Sequence, residues 1–270
     1  MKYKLWDMSW KEAEEAFKRS DTAILPTGTL HAHGPTPIGI DASAAERLAN
    51  EVGERTGLLT LPVVTYGEDD KMAHYPGSMA IDPHTLELYY TDICTSLRRN
   101  GIRKVVVVNG HGGNMEALIR TGRSARELGM LIAIIEWWTT GVQALPKVFH
   151  EKTIWYDEFM MGLAIHGREN ADIRSMKHKG EWGRNPTKKV FGSKIIPVIF
   201  NHSEFKGGIV TIPVDSWDID IESPPGVRKD QLDGLIREGE RMISHMADYI
   251  ADFTKEFEKV DVDKFLKGTT

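Results

Sequence analysis

The sequence predicts an α/β protein, a three-layer α/β/α sandwich around a mainly parallel sheet. Apolar runs typical of buried strands alternate with helix-like periods through the first half of the chain, in the order βαβαβαβ. Residues 103–108 include four consecutive valines, the pattern of a strand covered on both faces. A chain of 270 residues can bury a sizeable core, and we expect a single domain over residues 1–270.

The elements of the first half follow from local patterns. They are a strand at 22–27, a helix at 42–55, a strand at 58–65, a helix at 84–99, a strand at 103–108, a helix at 114–128 and a strand at 131–137. Asp41 and Asn114 stand where helix caps are expected. The second half is less regular, with strands predicted at 195–200 and 208–214 and a long helix at 228–258.

Composition and charge exclude several classes of protein. The 34 Lys and Arg residues against 39 Asp and Glu residues give a net charge of −5, so we expect neither nucleic acid nor an anionic membrane as a partner. The amino terminus lacks the apolar run of a signal peptide, and no segment reaches the ~18 apolar residues of a membrane span. We therefore expect a cytoplasmic protein.

Histidines and carboxylates are the only strong metal ligands available in quantity. The single cysteine, Cys94, cannot form an internal disulfide or a thiolate cluster. Parallel sheets bind ligands beyond the carboxyl ends of their strands. The loop after the first strand carries His31 and His33 and then Asp41, and the loop after the valine-rich strand carries His111 among three glycines. Imidazoles and carboxylates in such loops suit zinc, manganese or iron.

Each of these residues also has a simpler interpretation. His31 and His33 are equally consistent with hydrogen-bonding residues of a surface loop. Asp41 alone fits a helix cap. Residues 109–114 alone fit an anion-binding turn at a helix amino terminus, although the Lys-Ser/Thr of a nucleotide-binding P-loop is missing.

Three blocks of sequence, taken together, narrow these choices. The first reads Pro26-Thr27-Gly28-Thr29, His31-Ala32-His33-Gly34-Pro35 and Pro37-Ile38-Gly39-Ile40-Asp41; the second is Tyr66-Gly67, His74 and Pro76-Gly77-Ser78; the third is Asn109-Gly110-His111-Gly112-Gly113-Asn114. In this order, over about residues 20–140, the chain resembles the creatininase superfamily of metal-dependent hydrolases. Beyond that region the resemblance fades.

The resemblance implies a centre of one or two divalent ions. His33, Asp41 and His111 match ligands of the family, with the aspartate bridging where two ions bind. His31 occupies a position that most members fill with glutamate, so the site loses one negative charge. That change favours zinc, with manganese or iron as alternatives, because a neutral imidazole is a poorer ligand for a hard ion.

The remaining site residues are less certain from sequence. Glu158 matches the later glutamate of a family segment and is preferred over Glu136 as the last ligand, although either residue also fits a solvated or helix-capping charge. Glu158 or His74 would move the proton. His74 lines the pocket or lies on the surface.

We expect three further residues, Trp137, Trp138 and Ser78, to contact substrate, with one of the two tryptophans in the core. The family's reactions add water to a carbonyl group. We expect ring opening of a small cyclic substrate, either a diketone derived from a cyclic polyol, such as a dehydro-inosose, or a cyclic amide. Creatinine and formamides are alternatives, and a metal-dependent sugar isomerase or a non-catalytic metal-stabilised binding protein would be a different class. The tryptophans Trp155, Trp182 and Trp217 suggest surfaces suited to interfaces. The family resemblance implies a homo-oligomer, with a hexamer as the expected form.

Overall fold

The computed structural model describes residues 2–69, 72–139, 154–172, 196–199, 202–212 and 228–267. In chain order the helices are α1 (Trp10–Arg19), α2 (Ile40–Thr56), α3 (Pro83–Arg99), α4 (Met115–Glu127), α5 (Ile154–His166), α6 (Leu232–Glu258) and α7 (Val262–Lys267). The strands are β1 (Thr22–Thr27), β2 (Leu59–Thr60), β3 (Lys104–Asn109), β4 (Leu131–Glu136), β5 (Ile196–Ile199), β6 (His202–Phe205) and β7 (Gly208–Thr211).

The main sheet is parallel and has the strand order β2-β1-β3-β4. The chain leaves β1 toward β2 on one side and leaves β3 toward β4 on the other. The crevice beyond the carboxyl ends of β1 and β3 is therefore the switch point at which such sheets bind ligands. Strands β5, β6 and β7 form a separate antiparallel sheet.

The valines of β3 divide the core into two layers, because successive side chains of a strand point to opposite faces. Val106 and Val108 belong to a buried cluster with residues of α2, α5 and α6. Val105 and Val107 belong to a second cluster with residues of α1, α3 and α4. Helices therefore cover both faces of the sheet, and the predicted three-layer α/β/α sandwich is confirmed.

The amino end of β3 is tied to the carboxyl-terminal segment of the chain. Lys104 is 3% exposed, and its Nζ donates to the backbone oxygens of Glu258 and Val260 and lies 3.0 Å from Asp21 Oδ1. The carboxyl end of α6 is thereby held against the amino end of the central strand β3.

The structure corrects several predictions of detail. Asp41 does not cap α2, since Gly39 stands at the cap and Asp41 lies in the first turn. Asn114 stands at the cap of α4 but makes no capping hydrogen bond with its side chain. The predicted strand at 58–65 shortens to Leu59–Thr60.

Other sequence predictions fall partly outside the described ranges. Trp182 and Trp217 lie outside them, and so do parts of the predicted strands at 195–200 and 208–214. Helix α1 and strand β6 were not predicted. Within the part of the chain that is described, no helix combines the length and the apolar character needed to cross a bilayer.

Candidate metal centre

The candidate ligands meet at the switch point. His31 and His33 lie in the loop after β1, His111 follows β3, and Asp41 is in the first turn of α2. Two stretches that are distant in sequence, residues 31–41 and the loop with His111, are thus brought to one place by the parallel pairing of β1 and β3.

Asp41 is the centre of this group. Its Oδ1 lies 2.9 Å from His33 Nε2, and its Oδ2 lies 2.9 Å from His111 Nδ1 and 3.1 Å from His31 Nε2. The carboxylate is 4% exposed, so it is almost completely removed from water. One buried carboxylate thus contacts three imidazoles.

The donor atoms fit a divalent metal. His31 Nε2 and His33 Nε2 are in direct contact and both face Asp41. Two overlapping sets, His31-His33-Asp41 and His31-Asp69-His111, have ligand atoms that all lie within 4.8 Å of one another. Nitrogen and carboxylate oxygen donors in groups of three are the set that zinc and manganese use in catalytic sites.

The charges in the cluster shift the pKa values of its two buried histidines and of its carboxylate in opposite directions. Burial opposes a positive charge on His33, yet the carboxylates of Asp41 and Glu158 hold the pKa of His33 well above its usual range. Burial also opposes ionisation of Asp41, but the neighbouring His33 and His31 hold the pKa of Asp41 well below its usual range. The site therefore stabilises an anionic carboxylate beside cationic groups.

Two more carboxylates stand behind the histidines. Asp69 Oδ1 lies 2.7 Å from His31 Nδ1, and Glu158 Oε2 lies 2.9 Å from His33 Nδ1. In both rings the other nitrogen, Nε2, faces Asp41. Glu158 therefore contacts the outer side of His33, and its predicted role as a metal ligand stays a prediction.

Close backbone packing fixes Asp41 in place. A Cβ atom on Gly28 would lie 2.4 Å from the backbone nitrogen of Ala42, and one on Gly110 would lie 2.0 Å from the backbone oxygen of Asp41. Only glycine allows this approach. The first turn of α2 is thus held between the two loops that carry the histidines.

Two asparagines hold the loops together. Asn109 Nδ2 donates to the backbone oxygen of His111 and its Oδ1 accepts from the backbone N–H of the same residue, at 2.7 and 3.2 Å. Asn114 Nδ2 donates to the backbone oxygen of Gly28 at 3.1 Å, and its Oδ1 accepts from the N–H of Glu68 at 3.1 Å. Asn114 thus links the loops that follow β1, β2 and β3.

The two tryptophans lie in different environments. Trp138 is partly buried, and its Cζ2 would be 3.6 Å from a Cβ on Gly112, next to His111. Trp137 is 3% exposed and belongs to the apolar cluster between the sheet and α5 and α6. The expectation that one of the pair is a core residue is therefore met by Trp137, and Trp138 is the one beside the loop that carries His111.

Ser78 and His74 belong to a segment that covers the first histidine loop. The isolated bridge between Leu30 and Met79 places Ser78 across from His31. The Ser78 hydroxyl is buried and makes no hydrogen bond to the described residues. The ring of His74 packs against Tyr75 at 4.3 Å between the ring centroids.

Glu136 stays apart from the cluster. It ends β4 in register with Asn109 and belongs to neither set of candidate ligands among the described residues. Burial raises the pKa of Glu136. Of the two glutamates considered from sequence, Glu158 is the one that reaches a histidine of the site.

Sequence reasoning missed Asp69 and its neighbour Glu68. Both are buried, at 1% and 9% exposure, and both follow the Tyr66-Gly67 pair in the loop after β2. The available signal was two adjacent acids in a loop at the carboxyl end of a strand, which is where ligands are expected. The missing glutamate at position 31 was a second reason to search for a carboxylate nearby.

Comparison with known proteins agrees with this geometry. The family model described as Creatininase, creatinine amidohydrolase, matches residues 6–178, which is more than half of the chain. The chain belongs to the creatininase family. The match contains the four candidate ligands and Glu158.

Relatives of this creatininase-family protein are hydrolases with different substrates. Creatinine amidohydrolase of Pseudomonas putida is 28% identical over 146 residues, 49% of this chain and 56% of that protein. The 3-dehydro-scyllo-inosose hydrolase of Thermotoga maritima is 26% identical over 137 residues, 48% of this chain and 43% of that protein. A mycofactocin precursor peptide peptidase of Mycolicibacterium smegmatis is 33% identical over 102 residues, 35% of this chain and 41% of that protein. The chain thus matches about half the length of these relatives.

Solved creatininases share the fold over nearly the whole chain. A crystal structure of creatinine amidohydrolase has a TM-score of 0.70 at 21% identity and covers 96% of this chain and 99% of its own. A creatininase mutant of Zn-Zn type has a TM-score of 0.68 at 20% identity, and a manganese form has 0.68 at 21%. These two cover 96% of this chain and 100% of their own. The family fold and a donor set suited to a divalent metal therefore occur together.

Proposed function

We propose that this creatininase-family hydrolase is a metal-dependent enzyme that adds water to the carbonyl group of a small cyclic substrate. The observation that carries the proposal is Asp41, a buried carboxylate within 3.1 Å of three histidine rings at the switch point of a parallel sheet. Neither a helix cap nor a surface loop accounts for three imidazoles around one buried carboxylate.

Four residues would hold the metal: Asp41, His31, His33 and His111. Asp41 offers both carboxylate oxygens, each already directed at histidine nitrogens. Because the two oxygens of Asp41 lie beside different histidine rings, the arrangement would suit one ion or two. Zinc is the ion we propose, since imidazole nitrogens predominate among the donors, and manganese or iron are alternatives.

When bound, a divalent ion lowers the pKa of water toward neutrality and polarises a carbonyl oxygen. The chain's own residues supply orientation and proton transfer. Glu158 Oε2 lies 2.9 Å from the outer nitrogen of His33 and its side chain is 13% exposed, so the carboxylate is placed to influence the charge of that ring and to accept a proton. His74, whose ring packs against Tyr75, is a second candidate for proton transfer.

The substrate would lie between the histidine loops and the segments that cover them. Trp138 offers a flat apolar surface beside Gly112, and Ser78 offers a buried hydroxyl across from His31. An apolar surface with a few polar groups close by is the kind of lining that small-molecule sites use.

The charge of the site does not separate a cyclic polyol ketone from a cyclic amide. Counting only Asp41 and Glu158 gives two carboxylates, a number that favours oxygen-rich ligands around two ions. Two divalent ions beside only two carboxylates would leave the site positively charged. Asp69 adds a third carboxylate directly behind His31 and so reduces that positive charge. The proposal therefore covers both kinds of cyclic carbonyl compound, in line with the inosose hydrolase and the amidohydrolase among the relatives.

The test is a side-by-side assay of a cyclic diketo-polyol, creatinine and an N-formyl compound with zinc- and manganese-loaded protein in oxygen-18 water. We expect turnover of a cyclic substrate with the heavy oxygen in the new carboxylate. Asp41→Asn should lose both metal and turnover, while Asp92→Asn, on the exposed face of α3, should keep both.

Two results would contradict the proposal. Turnover confined to the N-formyl compound would refute the cyclic substrate, and isomerisation without hydrolysis would refute the reaction. Tightly bound metal with no turnover of any carbonyl compound would favour a binding protein.

We also propose that the chain acts as one domain and assembles as a homo-oligomer, with a hexamer as the form suggested by the family resemblance. Light scattering at micromolar concentration tests the assembly, and a monomer would contradict it.

A further inference from the structure

The outer partner of His31 is Asp69, a residue for which the hydrolytic reaction proposed above has no role. Asp69 Oδ1 lies 2.7 Å from His31 Nδ1 across 38 residues of sequence. Asp69 is 1% exposed and His31 is 5% exposed, so the contact is shielded from water. Charge-assisted hydrogen bonds of this length in a dry environment are strong and orient both partners.

The contact determines which nitrogen of His31 carries hydrogen. A carboxylate only accepts hydrogen bonds, so Nδ1 of His31 must donate to Asp69. The lone pair of the neutral ring is then on Nε2, the nitrogen that lies 3.1 Å from Asp41 Oδ2. A metal ligand needs this arrangement, a free lone pair on one nitrogen and a hydrogen-bonded N–H on the other.

The second histidine of the loop has similar neighbours. His33 Nε2 lies 2.9 Å from Asp41 Oδ1, and His33 Nδ1 lies 2.9 Å from Glu158 Oε2. The Nε2 atoms of both rings therefore lie beside Asp41, and each ring has a carboxylate near its Nδ1 atom. Asp69 comes from the loop after β2 and Glu158 from α5, so two unrelated segments supply the same kind of partner.

The segment that carries Asp69 is packed firmly. The backbone N–H of Glu68 donates to Asn114 Oδ1 at 3.1 Å, and the backbone oxygen of Gly67 accepts from Ile81 at 2.8 Å. A Cβ on Gly113 would lie 2.7 Å from the backbone oxygen of Glu68, so this approach requires glycine. Asp69 therefore reaches His31 from a fixed backbone.

We propose that Asp69 is a positioning residue that fixes the tautomer and orientation of His31. From behind the His31 ring, it also supplies the negative charge that a glutamate at position 31 would carry and a histidine lacks. The inference rests on the proposed metal site at Asp41. It predicts that Asp69 is needed because position 31 is histidine, and that a glutamate at position 31, with a charge of its own, makes Asp69 unnecessary.

The experiment is a double-mutant cycle on the full chain with zinc affinity as the readout, measured by competition with a chelator. Asp69→Asn alone should weaken zinc binding about 10- to 100-fold while the number of ions bound at saturation stays the same. In the His31→Glu background, the same change should cause no loss of affinity. Asp92→Asn is the matched control, the same chemical change on an exposed surface, and should leave affinity unchanged.

A measurement on the unaltered protein keeps the idea falsifiable if a variant does not fold. Nitrogen-15 NMR of the zinc-loaded protein should show His31 with hydrogen on Nδ1 and metal on Nε2. Metal on Nδ1 would overturn the proposal.

The outcomes separate this inference from the proposed function. If the unaltered protein binds no zinc, the proposed function fails and the inference with it. If zinc binds in an Asp41-dependent way but Asp69→Asn weakens it equally in both backgrounds, or in neither, only the inference fails. Loss of a bound ion at saturating zinc in Asp69→Asn would make Asp69 a ligand and overturn the positioning role.

Discussion

The two ends of strand β3 differ in how their charged groups are surrounded. At the amino end, Lys104 donates to the backbone oxygens of Glu258 and Val260 and lies beside Asp21, so its positive charge meets only acceptors. Beyond the carboxyl end, His111 joins two other imidazoles around the carboxylate of Asp41.

The contacts at the amino end of β3 serve the stability of the fold, whereas those at the carboxyl end serve binding and chemistry. Matched charges and carbonyls at the amino end stabilise the fold directly. At the carboxyl end, a positive charge on His33 opposes one on His31, and Asp41 has to offset both. Groups crowded in this way are characteristic of sites selected for binding and chemistry at some cost to stability. Changes at the two ends should therefore separate function from stability.

The largest effect is expected for His111→Ala at the carboxyl end. We expect loss of bound metal and a fall in activity of about 1,000-fold or more, since metal activation contributes several kcal/mol. Metal analysis and kinetics check the prediction. Burial raises the pKa of Cys94, the only cysteine, to about 11, so its thiol should resist thiol reagents in any folded variant. Full metal content with an unreactive Cys94 would remove His111 from the site.

At the amino end, Lys104→Met should unfold more easily by about 2–3 kcal/mol, because two backbone acceptors lose their donor in a buried place. Zinc affinity of the folded protein should not change. Denaturant unfolding and chelator competition measure the two quantities. The control is Lys255→Met, an exposed lysine of α6, for which no change is expected. A loss of zinc affinity in Lys104→Met would mean that the two ends are coupled.

Asn114→Ala tests whether one residue serves both purposes. Its side chain holds Gly28 and Glu68, so we expect a loss of about 1–2 kcal/mol in stability. Zinc affinity should fall by about tenfold, because the segment before Asp69 loses its anchor. Asn100→Ala, which removes a surface hydrogen bond at the end of α3, should leave affinity intact. Unchanged affinity in Asn114→Ala would limit this residue to a structural role.

The smallest effect is expected for Asp263→Asn. Arg103 forms two hydrogen bonds with Asp263 near the amino end, at 2.8 and 2.9 Å, but the carboxylate is 64% exposed. Solvent and salt screen such pairs strongly. The melting temperature should change by less than it does in Lys104→Met, and the small difference should vanish at high salt. A larger shift would place the main stabilising contact of this end on the surface.

Local sequence patterns predicted the sheet and most of its helices. The run of valines required a strand buried on both faces, and β3 places alternate valines in two separate cores. Helix α1 was missed even though Ser9 and Glu12 form a capping box, because the segment consists mostly of charged residues and Ala16 is its only buried residue.

The candidate site was predictable only where residues lie in recognisable motifs. His31, His33 and His111 stand in loops after strands that match family motifs, and Asp41 follows in the first turn of α2, so the parallel pairing of β1 and β3 brings them together. The contacts of Asp69 with His31 and of Glu158 with His33 depend on side-chain direction across long sequence separations. No local pattern encodes such a direction, which is why Asp69 was missed and the contact of Glu158 with the outer side of His33 was not predicted.

Gly28 and Gly110 have a consequence for how the site can change. They clamp the backbone of α2 at Asp41, so the frame does not depend on which side chains project from the loops around it. Ligands at positions such as 31 can then be exchanged, with compensation at positions such as 69, while the scaffold stays constant. A variant library that keeps both glycines and varies positions 31 and 69 together should yield folded proteins with new metal preferences. The clamp thus makes the centre evolvable, because changes in its chemistry need not disturb the fold.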